Sequence, residues 1–251
     1  MNSLSSSTLN IVLITSVINP PNKPLSYSSS RSIYSAEERF IQTQKTIASI
    51  REKIPNNKIF ILECSSLIPS QNEYLSSNSE YFINLYCQNT QDDIYGISKA
   101  LGEGTMTIKA LEYITNHIIP DITTKYNISI ENINLFKISG RYWLTDNFDY
   151  NKFIAPSNAP SNAVFKQIDN NPNNIFTALY KLPALLITNL YKFLTDKNNI
   201  SRMRQCIGYE VLFADFVKEI SNIVNTKYII KYIDPIGLTG YVAIDGSYYN
   251  G

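Results

Sequence analysis

The chain has 251 residues, 44% of them hydrophobic, with 22 Lys plus Arg against 21 Asp plus Glu and a formal net charge of +1. That supplies one large core and excludes a disordered chain, while the charge balance excludes a global basic field for nucleic acid or an anionic membrane, so any anion site must be local. Three cysteines (Cys64, Cys87, Cys206) without a CxxC pair, and His117 as the lone histidine, exclude a zinc framework and any scheme that needs two imidazoles.

No run reaches the roughly 18 apolar residues of a spanning helix. The start, MNSLSSSTLNIVLITSV, has neither the basic region nor the small-residue cleavage site of a signal peptide, so the expected residence is cytoplasmic. The bias toward Asn, Ile, Lys, Ser and Tyr suggests an AT-rich genome of a large DNA virus or a low-GC bacterium, the host cytoplasm being the compartment in the viral case.

Ile11 to Val17 is a continuous β-branched run that suits a central parallel strand. A long polar loop follows, of a length usually reserved for function or mobility. Ser35 and Glu38 then form a capping-box pattern for a helix that Pro55 and its neighbouring asparagines end. Lys58 to Cys64 is a second buried strand, so the order strand, loop, helix, strand gives a right-handed βαβ unit. Residues 65–89 are polar with scattered aromatics and receive no assignment.

Gly96 to His117 is a predicted helix stopped by Pro120, with His117 a partner for its C-terminal dipole. Asn134 to Ser139 is a third strand, and Gly140 to Leu144 continues or turns from it. A loop with Pro156, Pro160 and Pro172 precedes a predicted strand at Ile175–Tyr180. Helices at Ala184–Leu194 and Gly208–Ile220 and strands at Tyr228–Ile233 and Tyr241–Ile244 complete the chain. There is no repeat and no linker, so one domain is expected.

Three segments carry a resemblance: IVLITSV, Ser98–Glu103 (SKALGE) and Phe136–Tyr142 (FKISGRY). Their order resembles the GT-A glycosyltransferase fold, and the K-x-x-G-E and K-x-S-G-R-Y patterns are similar to those of uncharacterised polysaccharide-synthesis proteins. The resemblance implies a GT-A-like (Rossmann-like) α/β domain with a mostly parallel sheet flanked by helices. Residues 10–150 would be the nucleotide-binding half and 151–251 the acceptor side. It also implies a nucleoside-diphosphate sugar donor and a glycan acceptor.

The departure is that no Asp-x-Asp metal motif occurs; Asp92-Asp93 and Asp146/Asp149 are the close aspartate pairs. Without a metal, cations must offset the charge on the leaving diphosphate. Lys137 and Arg141 are placed for that, since strand alternation puts 137, 139 and 141 on one face. Mn or Mg held by Asp146 or Asp149 is the competing version.

The other expected nucleotide-site residues are Thr15 and Ser16 at the end of the first strand, Arg31 in the loop, Glu63 at the end of the second, Lys99, Gly102 and Glu103 on the next helix, and Tyr142. Lys99 and Glu103, four apart, can instead pair with each other. Gly102 inside a helix costs roughly 1 kcal/mol and marks close approach by a ligand or another backbone. Glu210 is the candidate catalytic base, with helix-end stabilisation as its plain alternative; Asp215 and Asp245 are the fallback candidates, although Asp245-Gly246 reads more readily as a turn. Arg39 reads as a solvated or ion-paired residue. Two further readings stay open: a sugar-phosphate nucleotidyltransferase, disfavoured by the absence of glycine between Met1 and Ile94, and a non-catalytic module that binds a glycan or a partner.

Overall fold

The computed structural model describes residues 8–86, 90–156, 161–223 and 228–251; Cys87, Pro160 and the first seven residues of the leader lie outside them. The first strand, β1 (Leu9–Ser16), is buried at every position. Helix α1 (Ala36–Lys53) starts at the expected capping box, in which the Ser35 hydroxyl accepts from Glu38 N at 3.2 Å and Glu38 Oε2 accepts from Ser35 N at 2.8 Å. Strand β2 (Asn57–Glu63) lies parallel to β1. In the unassigned stretch the chain forms α2 (Pro69–Ser77) and β3 (Tyr81–Asn84), which pairs parallel to β2.

The short α3 (Gln91–Ile94) precedes α4 (Lys99–Tyr113), capped by the Ser98 hydroxyl. Pro120 does not stop this helix. A single π turn at Ile114–Ile118 intervenes, in which Ile119 N donates to Ile114 O five residues back, and α5 (Ile119–Tyr126) continues with Pro120 in its first turn. There a backbone donor is not needed, so proline is tolerated. His117 stands within the π turn, its ring 4.7 Å from that of Tyr113, rather than at a helix end.

Strand β4 (Ile133–Ser139) returns beside β1, and β5 (Tyr142–Leu144) follows after a tight turn. After α6 (Tyr150–Phe153) comes β6 (Ser161–Phe165), then a small hairpin, β7 (Gln167–Ile168) with β8 (Asn171–Ile175). The strand expected at Ile175–Tyr180 is displaced to β9 (Leu179–Pro183), because the apolar run there is longer than one strand and the hairpin takes its first residue. Helices α7 (Ile187–Thr195), α8 (Lys197–Arg204) and α9 (Tyr209–Ile223) precede β10 (Tyr228–Tyr232), β11 (Leu238–Tyr241) and β12 (Tyr248–Asn250).

The protein is thus α/β, with a seven-stranded sheet of order β10-β6-β9-β4-β1-β2-β3 flanked by helices. Only β9 runs antiparallel to its neighbours. A second sheet of β12-β11-β5 stands beside it. Val12, Ile14, Ile59 and Ile61 pack with Ile47 and Ile50 of α1 and Leu75 of α2 on one face. Ile11, Leu13, Phe60 and Leu62 pack with α4, α7 and α9 on the other. The chain therefore winds β1–β2–β3 with helices on one face, then crosses to the other before β4. The gap between the C-terminal ends of β1 and β4 is the topological switch point, where open α/β sheets bind ligands. Among the described residues no helix is long and apolar enough to cross a membrane.

Helix α1 also fixes the turn after β4. The Thr43 hydroxyl donates to Gly140 O at 2.9 Å, the Thr46 hydroxyl to Tyr142 O at 2.6 Å, and Ser49 Oγ accepts from Leu144 N at 3.0 Å. Three hydroxyls on one helix face thus grip alternate residues of the segment that carries Arg141. Replacing Thr46 by valine keeps the shape and leaves a buried carbonyl without its donor, at a cost of about 1–3 kcal/mol. Urea unfolding of Thr46→Val checks this; unchanged stability would show that the grip contributes nothing.

A candidate active-site cleft at the strand switch point

A cleft of about 210 Å³ opens at the C-terminal ends of β1 and β4. Of the sequence-predicted residues, Thr15 and Ser16 line it from β1, Lys99, Gly102 and Glu103 from the first turns of α4, and Arg141 and Tyr142 from the turn into β5. Arg31 reaches it from the long loop, and Glu210 from the first turn of α9. The loop is tied down for this: Arg31 Nη2 donates to Gly96 O, and its guanidinium lies 5.8 Å from the Tyr95 ring centre. Gly102 answers to a backbone rather than a ligand, since a Cβ there would meet Ile94 O at 2.6 Å.

Four expected participants stand elsewhere. Lys137 is fully buried beneath the floor, where its ammonium donates to Ser139 Oγ at 2.9 Å and Thr177 O at 2.8 Å and pairs with Glu103 Oε1 at 3.3 Å. All three of its protons are taken, so it is not free to grip a diphosphate. Alternation put it on the expected face, but it lies two residues inside the sheet from the end of β4. Glu63 is fully buried, and its Oε1 accepts from Ile18 N, Cys64 N, Ser65 N and the Ser65 hydroxyl. It pins the turns after β1 and β2 instead of meeting a ribose. Asp215 is on the surface of α9, paired with Arg202 at 2.7 Å and Lys218 at 3.5 Å. Asp245 accepts from Ser247 N, as a turn residue does.

A divalent cation finds no ligand set here. Asp146 is exposed and paired with Lys53 at 2.9 Å, and Asp149 caps α6 through Asn151 N. Among the described residues no group of three or more His, Cys, Asp or Glu is placed to hold a metal ion.

The charge on the cleft walls comes from four cations (Arg31, Arg39, Lys99, Arg141) against two carboxylates (Glu103, Glu210), an excess of two positive charges. Glu103 sits on the floor, its Oε1 taken by Lys137 and by the Thr177 hydroxyl at 3.4 Å. Burial raises its pKa, but Lys137 and Lys99 outweigh burial and hold the carboxyl below its ordinary value. Its Oε2 has no hydrogen-bond partner among the described residues. Lys99 pairs with Glu210 at 3.8 Å rather than with Glu103. Burial opposes the charge on Lys99, but Glu103 and Glu210 together hold its amine above the usual lysine value.

The residue that sequence reasoning passed over is Arg39. It is only 7% exposed, yet it lines the cleft. A signal was present: a cation close behind the start of α1 works against the helix dipole, and Arg39, Thr43 and Thr46 are polar residues on the helix's buried side. Thr177, also on the wall, lay in the stretch whose strand was misplaced.

Among solved structures, the chain is similar to the crystal structure of a glycosyltransferase involved in the glycosylation of the major capsid of PBCV-1. The identity is 9% and the TM-score 0.42, over 89% of this chain and 81% of that one. No family model and no curated protein matches the chain.

Proposed function

We propose that this protein is a GT-A-like glycosyltransferase that moves a sugar from a nucleoside diphosphate to a glycan hydroxyl. One observation supports the reading above others: a single cleft at the switch point joins a cationic wall to two carboxylates in different settings. A donor diphosphate lies against the cations. Glu103, kept ionised from below by Lys137, offers Oε2 to sugar hydroxyls. Glu210, in the first turn of α9 and 29% exposed in its side chain, takes the proton of the acceptor hydroxyl as that oxygen attacks the anomeric carbon. The bond from the anomeric carbon to the diphosphate oxygen breaks, and its electron pair leaves with the diphosphate. Arg141 and Lys99 offset the charge that develops there.

The test is a thermal-shift series with UDP, GDP, ADP and their sugar conjugates, each with EDTA and with manganese. A ligand at a hundred times its Kd adds about 2.7 kcal/mol of stability, or roughly 5–10 °C for a chain of this size. A nucleoside-diphosphate shift that survives EDTA is expected. Glu210→Gln should keep that shift and slow transfer or donor hydrolysis about a hundredfold. If no nucleoside diphosphate or sugar conjugate raises the melting temperature, the reading fails and a non-catalytic module takes its place.

A further inference from the structure

The six arginines of the chain divide in an informative way. Arg51 pairs with Glu80 at 3.0 Å and Arg202 with Asp215 at 2.7 Å, and Arg204 is exposed. The other three, Arg31, Arg39 and Arg141, all line one cleft, and none of them forms an ion pair among the described residues. A buried charge left without a counter-charge is costly. Three guanidiniums gathered in one place repel one another as well.

Arg39 is the most demanding of the three. Its Nε donates to Val17 O at 2.5 Å and its Nη1 to Ser32 Oγ at 3.3 Å, both neutral acceptors. Its Nη2 has no acceptor among the described residues. Burial, and then the neighbouring Arg141, pull its guanidinium down to about 9; Glu63 favours its charge, but that carboxylate's Oε1 is committed to four other donors. Arg31 adds a second unsatisfied donor, since its Nε is buried with no partner among the described residues. Arg141 spends one bond, from Nη1 to Tyr241 O at 3.2 Å, and keeps the rest of its fork.

We propose that Arg39, Arg31 and Arg141 form a cradle that binds a pyrophosphate group directly, with Arg39 as its buried inner anchor. Guanidiniums suit this because each presents a planar fork that matches two phosphate oxygens. A pyrophosphate spans more than one fork and neutralises more than one of the charges, which an orthophosphate cannot do equally well. The proposal rests on the donor-binding reading of this cleft, but it concerns binding and not transfer.

The experiment is titration calorimetry of the full chain with inorganic pyrophosphate and orthophosphate, then with UDP, GDP and farnesyl diphosphate to tell a nucleoside from a lipid source. Pyrophosphate is expected to bind at least tenfold more tightly than orthophosphate. Arg141→Gln, at the cleft wall, should weaken pyrophosphate at least tenfold. Arg39→Gln should do the same, and Arg39→Lys, which keeps the charge, should weaken it several-fold because the fork is lost. Failure of the wild type to bind pyrophosphate, or unchanged binding in both the Arg39→Lys and Arg141→Gln proteins, overturns the cradle. Pyrophosphate binding that the variants lose, without turnover of any sugar nucleotide, upholds the cradle and removes the transferase reading. Undiminished transfer in Arg39→Lys and Arg141→Gln does the reverse.

Discussion

Replacing Lys137 by methionine is expected to cost about 3–5 kcal/mol of folding stability at neutral pH, the range found when one member of a buried ion pair is removed. Lys137 is fully buried and the Glu103 side chain is 18% exposed, so little water is at hand to replace the lost partner. The variant also strips a donor from Thr177 O and from Ser139 Oγ. The sign with pH follows from Glu103. In the wild type its folded value lies below the ordinary 4.5, so its stabilising contribution is present above 4.5 and is lost as pH falls through the folded value. Without Lys137, burial becomes the dominant influence and the carboxyl value rises. The variant then loses stability as pH climbs through that raised value. The gap between the two proteins should therefore be widest near pH 7.5 and shrink toward pH 4. Urea unfolding at both pH values measures it.

Lys137→Met combined with Glu103→Gln should regain much of the loss, because the stranded charge is gone. A single Lys137→Met protein within 1 kcal/mol of wild type at pH 7.5 would mean that the pair is slack.

The parts of this fold that the sequence made plain are those whose signals are local. β1 and β2 hold the continuous apolar runs Ile11–Ile14 and Ile59–Leu62, β4 is apolar but for Asn134, Lys137 and Ser139, and α1 begins with a capping box that closes in the structure as written. The parts that stayed hidden lack such signals. Helix α2 is preceded by Ile68, whose side chain cannot cap it, and β3 is a four-residue edge strand that is half-buried throughout. Strand β6, SNAVF, opens with polar residues. Pro120 misled because a π turn lets the helix restart around it, a device that depends on tertiary packing rather than on composition.

The cleft follows the same division. The switch-point rule pointed to Thr15 and Ser16, since it needs only the strand order, while Lys99, Glu103 and Arg141 came from the resemblance and Glu210 from the need for a base. None of these speaks of depth. Lys137 sank beneath the floor for that reason, and Arg39, read as a solvated or ion-paired residue, is among the most buried cations of the site.

Lys181→Met is expected to raise stability at neutral pH. Lys181 lies at the middle of β9, a central strand, opposite Phe136 on one side and Val164 on the other, and is 1% exposed. Its ammonium donates to Asn162 O at 2.5 Å and pairs with no carboxylate among the described residues. Burial alone drives its value down from 10.5 to about 7. A depressed folded value means that stability is fully present above the unfolded value of 10.5 and is lost as pH falls through about 7. Converted at the standard rate per unit, the shift is worth roughly 5 kcal/mol as an upper bound.

Methionine fills nearly the same space and removes that penalty, but it leaves Asn162 O without its donor, at about 1–3 kcal/mol. The net expected gain at pH 7 is about 2–4 kcal/mol. Wild-type stability should also climb from pH 7 to 9 by close to the slope of one proton relative to the variant, since tyrosines titrate equally in both. Urea unfolding of the two proteins across that window decides the matter. Parallel curves, with Lys181→Met the less stable, would show that the lysine finds a compensating partner in solution and that its burial is not a cost to the fold.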